Sequence, residues 1–314
     1  MRVVLCGSGS FAIPTLRVLH AGKHELAEVI TQPPRPAGRG ARMRPSPVAE
    51  AAAELGLTAA AVEDVNADAA VAALRTIAPD VICVADFGQF VRKPFRDCAR
   101  LDAINLHGSL LPLLRGAAPV NWAVIRGLRQ TGVTTFSLVD RMDAGDLYAQ
   151  KETFVSPDET AAELRARLAE LGAQLVCETL DMLAAGTARR MPQDDSKATS
   201  APRLTKAHGR VDFSASAEEV RNLIHGTWPW PGGQAVFVHG DKRIPVTLAR
   251  AAVAGGEVDA EPGTLDDDLC TATGGGRVAI QQIKPAGKRL MDWQDFINGY
   301  RARPGDRFVQ VPDD

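Results

Sequence analysis

No apolar run in the 314-residue sequence approaches the ~20 residues that a membrane-spanning helix needs. The opening residues, Met1-Arg2-Val3-Val4-Leu5-Cys6-Gly7, read as a short buried strand. They lack the long apolar region and cleavage site of a secretory signal. Cysteine is scarce: Cys6, Cys83, Cys98, Cys177 and Cys270 are scattered, with no Cys-x-x-Cys pair and no histidine at ligand spacing. So dispersed and odd a set argues against a structural metal site and for a reducing compartment, and the expected location is cytoplasmic. Repeats and low-complexity segments are absent. A surplus of positive charge is also missing, since the formal net charge of −2 excludes a broadly basic nucleic-acid-binding surface. Local basic clusters remain possible, and two occur. Arg35, Arg39, Arg42 and Arg44 fall between positions 29 and 49 with no acid among them, and Arg277, Lys284, Lys288 and Arg289 fall in a second acid-free stretch, 269–291. Both stretches are rich in Gly and Pro, which makes a phosphate-bearing partner worth testing.

The chain is long enough for two domains, and its 45% hydrophobic and 24% charged composition is that of an ordinary globular protein. A strand at 2–6, the turn Gly7-Ser8-Gly9-Ser10-Phe11-Ala12 and a helical pattern through Pro14, Leu16 and Leu19 open a Rossmann-like α/β unit. Read literally, Gly7-x-Gly9-x-x-Ala12 suggests a dinucleotide site. The next strand, however, ends in Thr31-Gln32, without the acid that would hold a ribose. Residues 33–47 carry too much Pro and Gly for a helix and are long for a plain connection, which suggests a basic arm that folds over a polyanion. Further alternation predicts helices at 47–54, 68–77, 120–126 and 160–185. Strands are expected at 58–62, 80–85, 132–139 and 147–155. Residues 186–202 read as a polar linker. Beyond it, short strands at 210–213, 234–238, 243–249, 263–266 and 277–283, with one helix at 217–225, suggest a small β-barrel-like domain.

One stretch dominates this plan: Asn105-Leu106-His107-Gly108-Ser109-Leu110-Leu111-Pro112, followed by Leu113-Leu114-Arg115-Gly116-Ala117-Ala118-Pro119. It follows an apolar strand end, and alternate residues share a face there, so Asn105 and His107 point the same way. An amide beside an imidazole at a strand's C-terminal end suits acyl transfer, with one group binding an oxyanion and the other holding a proton.

With the arginine loop, Asp143-Ala144-Gly145-Asp146, Pro229-Trp230-Pro231, Pro285-Ala286-Gly287-Lys288 and Pro304-Gly305-Asp306, the stretch resembles the methionyl-tRNA formyltransferase family. The resemblance implies a Rossmann-like formyltransferase domain at 1–185, a linker at 186–205 and an OB-like, tRNA-binding β-barrel at 206–314. It implies that the formyl group of 10-formyltetrahydrofolate passes to the amine of methionine on initiator methionyl-tRNA, with no metal. Asn105, His107 and Asp143 match the family's catalytic trio. Phe87, Gly88, Ser109, Leu110, Leu111 and Pro112 correspond to its folate-proximal segments. Arg35, Arg39, Arg42, Lys206 and Lys288 are the expected tRNA contacts, and a monomer with no membrane partner is expected. The sequence departs from the family in three places. Gly9-Ser10 replaces Pro-Asp, Asp86-Phe87 adds an acid and removes a phenolic hydroxyl beside the expected pterin site, and Ala41-Arg42 replaces two lysines. Two other readings stay open: a formyltransferase acting on a sugar amine, and a nucleotide-binding regulator built on the Gly7-x-Gly9 turn.

Overall fold

The computed structural model describes residues 1–37, 42–256 and 259–312. The chain divides into two compact units. One comprises Met1–Pro119, Thr131–Thr153 and Arg165–Ala201; the other comprises Val120–Gln130, Phe154–Leu164 and Pro202–Asp314.

In the first unit, β1 (Arg2–Gly7) leads to α1 (Ile13–Ala21), which carries Pro14 in its first turn, where a missing N–H costs nothing. Then come β2 (Glu25–Thr31), β3 (Arg35–Ala37), β4 (Arg42–Arg44), α2 (Pro47–Glu54), β5 (Ala59–Ala61), α3 (Asp68–Ile77) and β6 (Val81–Ala85). After α4 (Lys93–Arg96) and β7 (Asp102–His107), the chain forms α5 (Pro119–Ile125), β8 (Gln130–Ser137), β9 (Leu147–Phe154) and α6 (Ala161–Ala184). Of these, α5 from Val120 on and residues 161–164 of α6 count with the second unit. Seven strands form one sheet in the order β5-β2-β1-β6-β7-β8-β9. Pairing is parallel through β5, β2, β1, β6 and β7, while β8 runs antiparallel to β7. All five residues of β6 are buried, which is why it reads as a continuous apolar run rather than an alternation. The winding reverses between β1 and β6, so the register pair Gly7 and Ala85 marks the crevice where open α/β sheets take ligands.

Residues 33–47, expected as a basic arm rather than as regular structure, carry strand pairing among the described residues. They contain an antiparallel hairpin in which Arg35 faces Arg44, Pro36 faces Met43 and Ala37 faces Arg42. Its two ends are tied together by hydroxyls. Thr31 Oγ1 lies 2.5 Å from Ser46 Oγ, Ser8 Oγ accepts the Gln32 N–H at 3.0 Å, and Ser46 caps α2 by accepting the Ala49 N–H at 3.1 Å. Arg39 and Ala41 lie outside the described residues.

The second unit contains α7 (Ala217–Thr227), β10 (Gly233–His239), β11 (Lys242–Ala254), β12 (Thr271–Ala272), β13 (Arg277–Pro285), β14 (Met291–Asp292), α8 (Trp293–Tyr300) and β15 (Arg307–Val309). Its sheet runs β12-β13-β11-β10-β15, with β14 on β13. Residues 263–266, expected as a strand, supply only single bridges, Thr264 to Arg307 and Leu265 to Thr271. Those two bridges span the two outer strands and make an antiparallel, nearly closed barrel around Phe237, Phe296 and Phe308. Residues 210–213 form one bridge, Arg210 to Gln234, instead of a strand. The Asp212 carboxylate accepts from the N–H and hydroxyl of Ser214 at 2.9 and 2.6 Å, which turns the chain before a ladder can extend.

Candidate active site

Asn105 and His107 lie at the C-terminal end of β7, two residues apart and therefore on one face. His107 is buried, with its ring edge-on to Phe136 at 6.4 Å. Its Nε2 lies 3.0 Å from the Leu114 carbonyl. A carbonyl can only accept, so Nε2 carries the proton. Nδ1 is 3.8 Å from Asp143 Oδ2, close enough for charge to act but too far for a hydrogen bond. Asn105 is half-buried, and its amide makes no hydrogen bond among the described residues. The structure thus brings the expected trio to one place, with two polar groups left unspent.

Local backbone geometry fixes these positions. Leu114 and Asp143 both adopt positive φ, 59° and 50°. Asp143 Oδ2 accepts the Gly116 N–H at 2.7 Å, joining the loop after β8 to the loop after β7. Gly145 completes the Asp-Ala-Gly-Asp turn because a Cβ there would stand 1.7 Å from the Ser137 carbonyl oxygen. Buried Thr134 on β8 donates to the Ser109 carbonyl at 2.6 Å and accepts the Leu111 N–H at 3.1 Å.

The expected folate-proximal residues divide into two kinds. Ser109 is fully buried with its hydroxyl donated to the Leu113 carbonyl at 2.6 Å, and Leu111 packs with Phe136 and Leu147. The Phe87 side chain lies in the core with Val84 and Val91, while its carbonyl accepts from Gln32 Nε2 at 2.7 Å. The side chains of these three residues are spent on the fold. Gly88 is exposed with φ at +79°, and Leu110 and Pro112 are partly buried.

The turn at Gly9 gains its missing acid from across the sheet. The Asp86 carbonyl accepts the N–H groups of Ser8 and Gly9 at 3.1 and 2.9 Å. The Asp86 carboxylate accepts the Phe11 N–H at 3.2 Å and pairs with Arg165. A Cβ at Gly9 would lie 1.9 Å from that carboxylate, so glycine here is a packing requirement. The N–H groups that would cradle a dinucleotide pyrophosphate are therefore occupied, which removes the physical basis of the nucleotide-binding reading.

Residues 191–201, expected as part of a linker, form a strap hydrogen-bonded to both site loops. Leu114 N–H donates to Thr199 Oγ1 at 2.8 Å, Arg115 N–H to the Thr199 carbonyl at 2.8 Å, and Ala201 N–H to the Arg115 carbonyl at 2.7 Å. Gln193, Asp195 and Thr199 carry no local sequence signal. Their roles arise from partners some 50 to 85 positions away.

The four described residues among the expected tRNA contacts are exposed. Arg35 and Arg42 lie on the hairpin, Lys206 on a short turn, and Lys288 between β13 and β14. Among the described residues, their side chains make no ion pair, and no cluster of acids, histidines and cysteines could hold a metal. No described helix is long and apolar enough to cross a membrane.

Comparison with known proteins is consistent with this geometry. A formyl transferase family model matches residues 1–180, and a formyl transferase C-terminal domain model matches residues 203–301. The methionyl-tRNA formyltransferase of Solibacter usitatus is 39% identical over 311 residues, covering 98% of each chain. That of Desulfotalea psychrophila is 41% identical over 303 residues, covering 95% of this chain and 93% of the relative. Among solved structures, the fold matches WlaRD, a sugar 3N-formyl transferase with dTDP and 5-N-formyl-THF, at TM-score 0.64 and 14% identity over 92% of this chain and 99% of that one. It also matches HypX of Aquifex aeolicus with tetrahydrofolic acid at TM-score 0.62 and 19% identity, covering 95% of this chain and 47% of that one.

Proposed function

The chain belongs to the methionyl-tRNA formyltransferases and formylates initiator methionyl-tRNA from a folate donor, and we propose that Asn105, His107 and Asp143 carry the reaction with 10-formyltetrahydrofolate as that donor. The observation that carries the proposal is the imidazole anchored by Leu114 on one nitrogen, with the Asp143 carboxylate 3.8 Å from the other. The neutral amine of the methionyl group attacks the formyl carbon, and negative charge develops on the formyl oxygen. The Asn105 amide and the protonated His107 stabilise that oxygen. With Nε2 held by Leu114, Nδ1 is the ring nitrogen free to face it. Asp143 stabilises the imidazolium without taking its hydrogen bond. The bond from carbon to N10 of the folate then breaks, and the proton lost by the amine passes through water to N10. The products are formylmethionyl-tRNA and tetrahydrofolate.

The donor lies against the loop 86–90 and the segment Ser109–Leu110–Leu111–Pro112, contacting Gly88 and the backbone of Phe87. This placement is supported by the position of both segments beside the sheet's switch point. Arg35, Arg39, Arg42, Lys206 and Lys288 contact tRNA phosphates, a reading supported by the exposure of the four described side chains. Residues 1–185 act as the catalytic domain, 186–205 connect, and 206–314 help hold tRNA. The protein works as a cytoplasmic monomer. The direct test incubates it with 10-formyltetrahydrofolate and charged initiator tRNA and measures formylmethionine. Transfer to a small amino-sugar, with none to the tRNA, would overturn the reading.

A further inference from the structure

The strap over the site contains one side chain that joins both catalytic loops. Gln193 Nε2 donates to the Asp143 carbonyl at 2.9 Å and to the Gly145 carbonyl at 2.7 Å. Its Oε1 accepts from Arg115 Nε at 3.1 Å and Nη2 at 2.7 Å. The amide thus uses both of its donor hydrogens on one loop and its oxygen on the other. Arg115 is itself largely buried and pairs with Asp195 on the same strap at 2.8 Å, and Arg141 reaches the other oxygen of Asp195 at 2.8 Å. Met191 and Leu147 exchange backbone hydrogen bonds at 2.8 and 2.9 Å and anchor the start of the strap to β9.

The loop bearing Asp143 and the loop after β7 also meet through the Gly116 N–H, which donates to Asp143 Oδ2. Gly116 follows Arg115 directly, so the Gln193 contact and the Gly116 contact hold the same two loops in one register. Asp143 keeps a positive φ of 50°, a conformation that a residue other than glycine holds only when its surroundings define it.

We propose that Gln193 is a positioning residue for formyl transfer. It ties the Asp143 turn to the Arg115 loop and so sets the separation between the Asp143 carboxylate and the His107 imidazole. The separation matters in both directions. A closer carboxylate would take the Nδ1 hydrogen bond needed by the developing oxyanion, and a more distant one would cease to stabilise the imidazolium. The inference rests on the catalytic reading of the trio, and nothing in the comparisons assigns a role to Gln193.

The test is a double-substitution cycle in steady-state formylation with the full chain. Gln193→Glu keeps the size and the acceptor for Arg115 but cannot donate to the two carbonyls. Gln193→Met removes both ends. Each is expected to lower kcat by about tenfold or more, as sub-ångström misplacement of reacting groups does, with KM for folate and tRNA changed less than about twofold. In an Asp143→Asn background the same substitutions should change kcat by less than about twofold, because the group they position is already gone. Full additivity in that background, or wild-type kcat in a folded Gln193→Glu protein, would overturn the inference. Failure of the catalytic reading gives a different result: Asp143→Asn and His107→Ala would then turn over normally whatever happens at Gln193.

Discussion

Each unit of the molecule buries a histidine, and the two are handled in opposite ways. His107, at the end of β7, has one nitrogen fixed by a carbonyl and the other 3.8 Å from a carboxylate. His225, on α7, is 1% exposed, and its Nε2 accepts the Ala251 N–H at 3.1 Å. That bond leaves the proton on Nδ1, which is buried without a hydrogen-bond partner among the described residues. Burial, and after it the charges of Arg250 and Arg221, push its pKa down to about 4. Both rings would look alike to any rule that searches for buried histidines. What separates them is the sign of the neighbouring charge: the Asp143 carboxylate lies 3.8 Å from His107 Nδ1, whereas guanidinium groups neighbour His225. Those guanidinium groups oppose an imidazolium at His225.

The strongest way to break the comparison is to remove each ring in turn. His107→Ala should lower formylation on the order of 100-fold or more while the protein still melts cooperatively. A folded His107→Ala protein with unchanged formyl transfer would end the mechanism. His225→Gln, which retains an acceptor for the Ala251 N–H, should leave kcat unchanged.

His225 answers instead to pH. Its folded pKa lies below the unfolded value of about 6.5, so between those values the unfolded chain binds a proton that the native state refuses. Stability from this group is therefore complete above pH ~6.5 and is lost as pH falls toward 4, by about 3 kcal/mol in all. Denaturant titrations of wild type and His225→Gln from pH 7 to 4 measure the difference. Parallel pH dependences in the two proteins would show that the ring does not titrate as described.

A smaller effect is expected at Asp86, an acid that the sequence places beside the folate site but the structure spends elsewhere. Asp86→Ala removes a cap on the Phe11 N–H and the partner of Arg165, costing about 1–3 kcal/mol. It also loosens the loop 86–90 and should raise KM for folate more than it lowers kcat. Adding Ser10→Asp in the same protein offers the Phe11 N–H an acceptor from its own turn and should recover part of both losses. If the melting temperature and folate KM of Asp86→Ala match wild type, the carboxylate is not what holds that turn.

These contrasts also explain how much of the molecule could be read in advance. The alternation of β1, β2, β5, β6 and β7 with helices was legible because buried strands are short apolar runs and helices repeat near 3.6 residues. Asn105 and His107 stood out as an amide and an imidazole on one face of a strand end, and Asp143 was expected beside them only through the family resemblance. The strap was not legible, since Gln193 and Thr199 sit in a polar, aperiodic stretch and acquire meaning only from loops distant in sequence. Residues 263–266 read as a strand because they are flanked by turn residues, yet only Thr264 and Leu265 pair, each through a single bridge. Helix α8 was missed although Trp293, Phe296 and Tyr300 stack at helical spacing, because eight residues give too few turns for a period to stand out.

The arginine hairpin completes the contrast between spent and unspent groups. Around His107 the loop N–H groups of Leu111, Leu114, Arg115 and Gly116 are committed, whereas Arg42 and Arg35 on β4 and β3 are exposed and make no ion pair among the described residues. Charges left free are available to phosphates, and each phosphate neutralised releases condensed counterions. Arg42→Ala should accordingly raise KM for tRNA, leave KM for folate and kcat unchanged, and reduce the slope of log affinity against log salt by about 1. The hydroxyl ties at Thr31, Ser8 and Ser46 keep the base of the hairpin in place in the variant, so the substitution removes a charge without releasing the loop. A weaker affinity with an unchanged salt slope would mean that Arg42 supports the hairpin's shape and touches no phosphate.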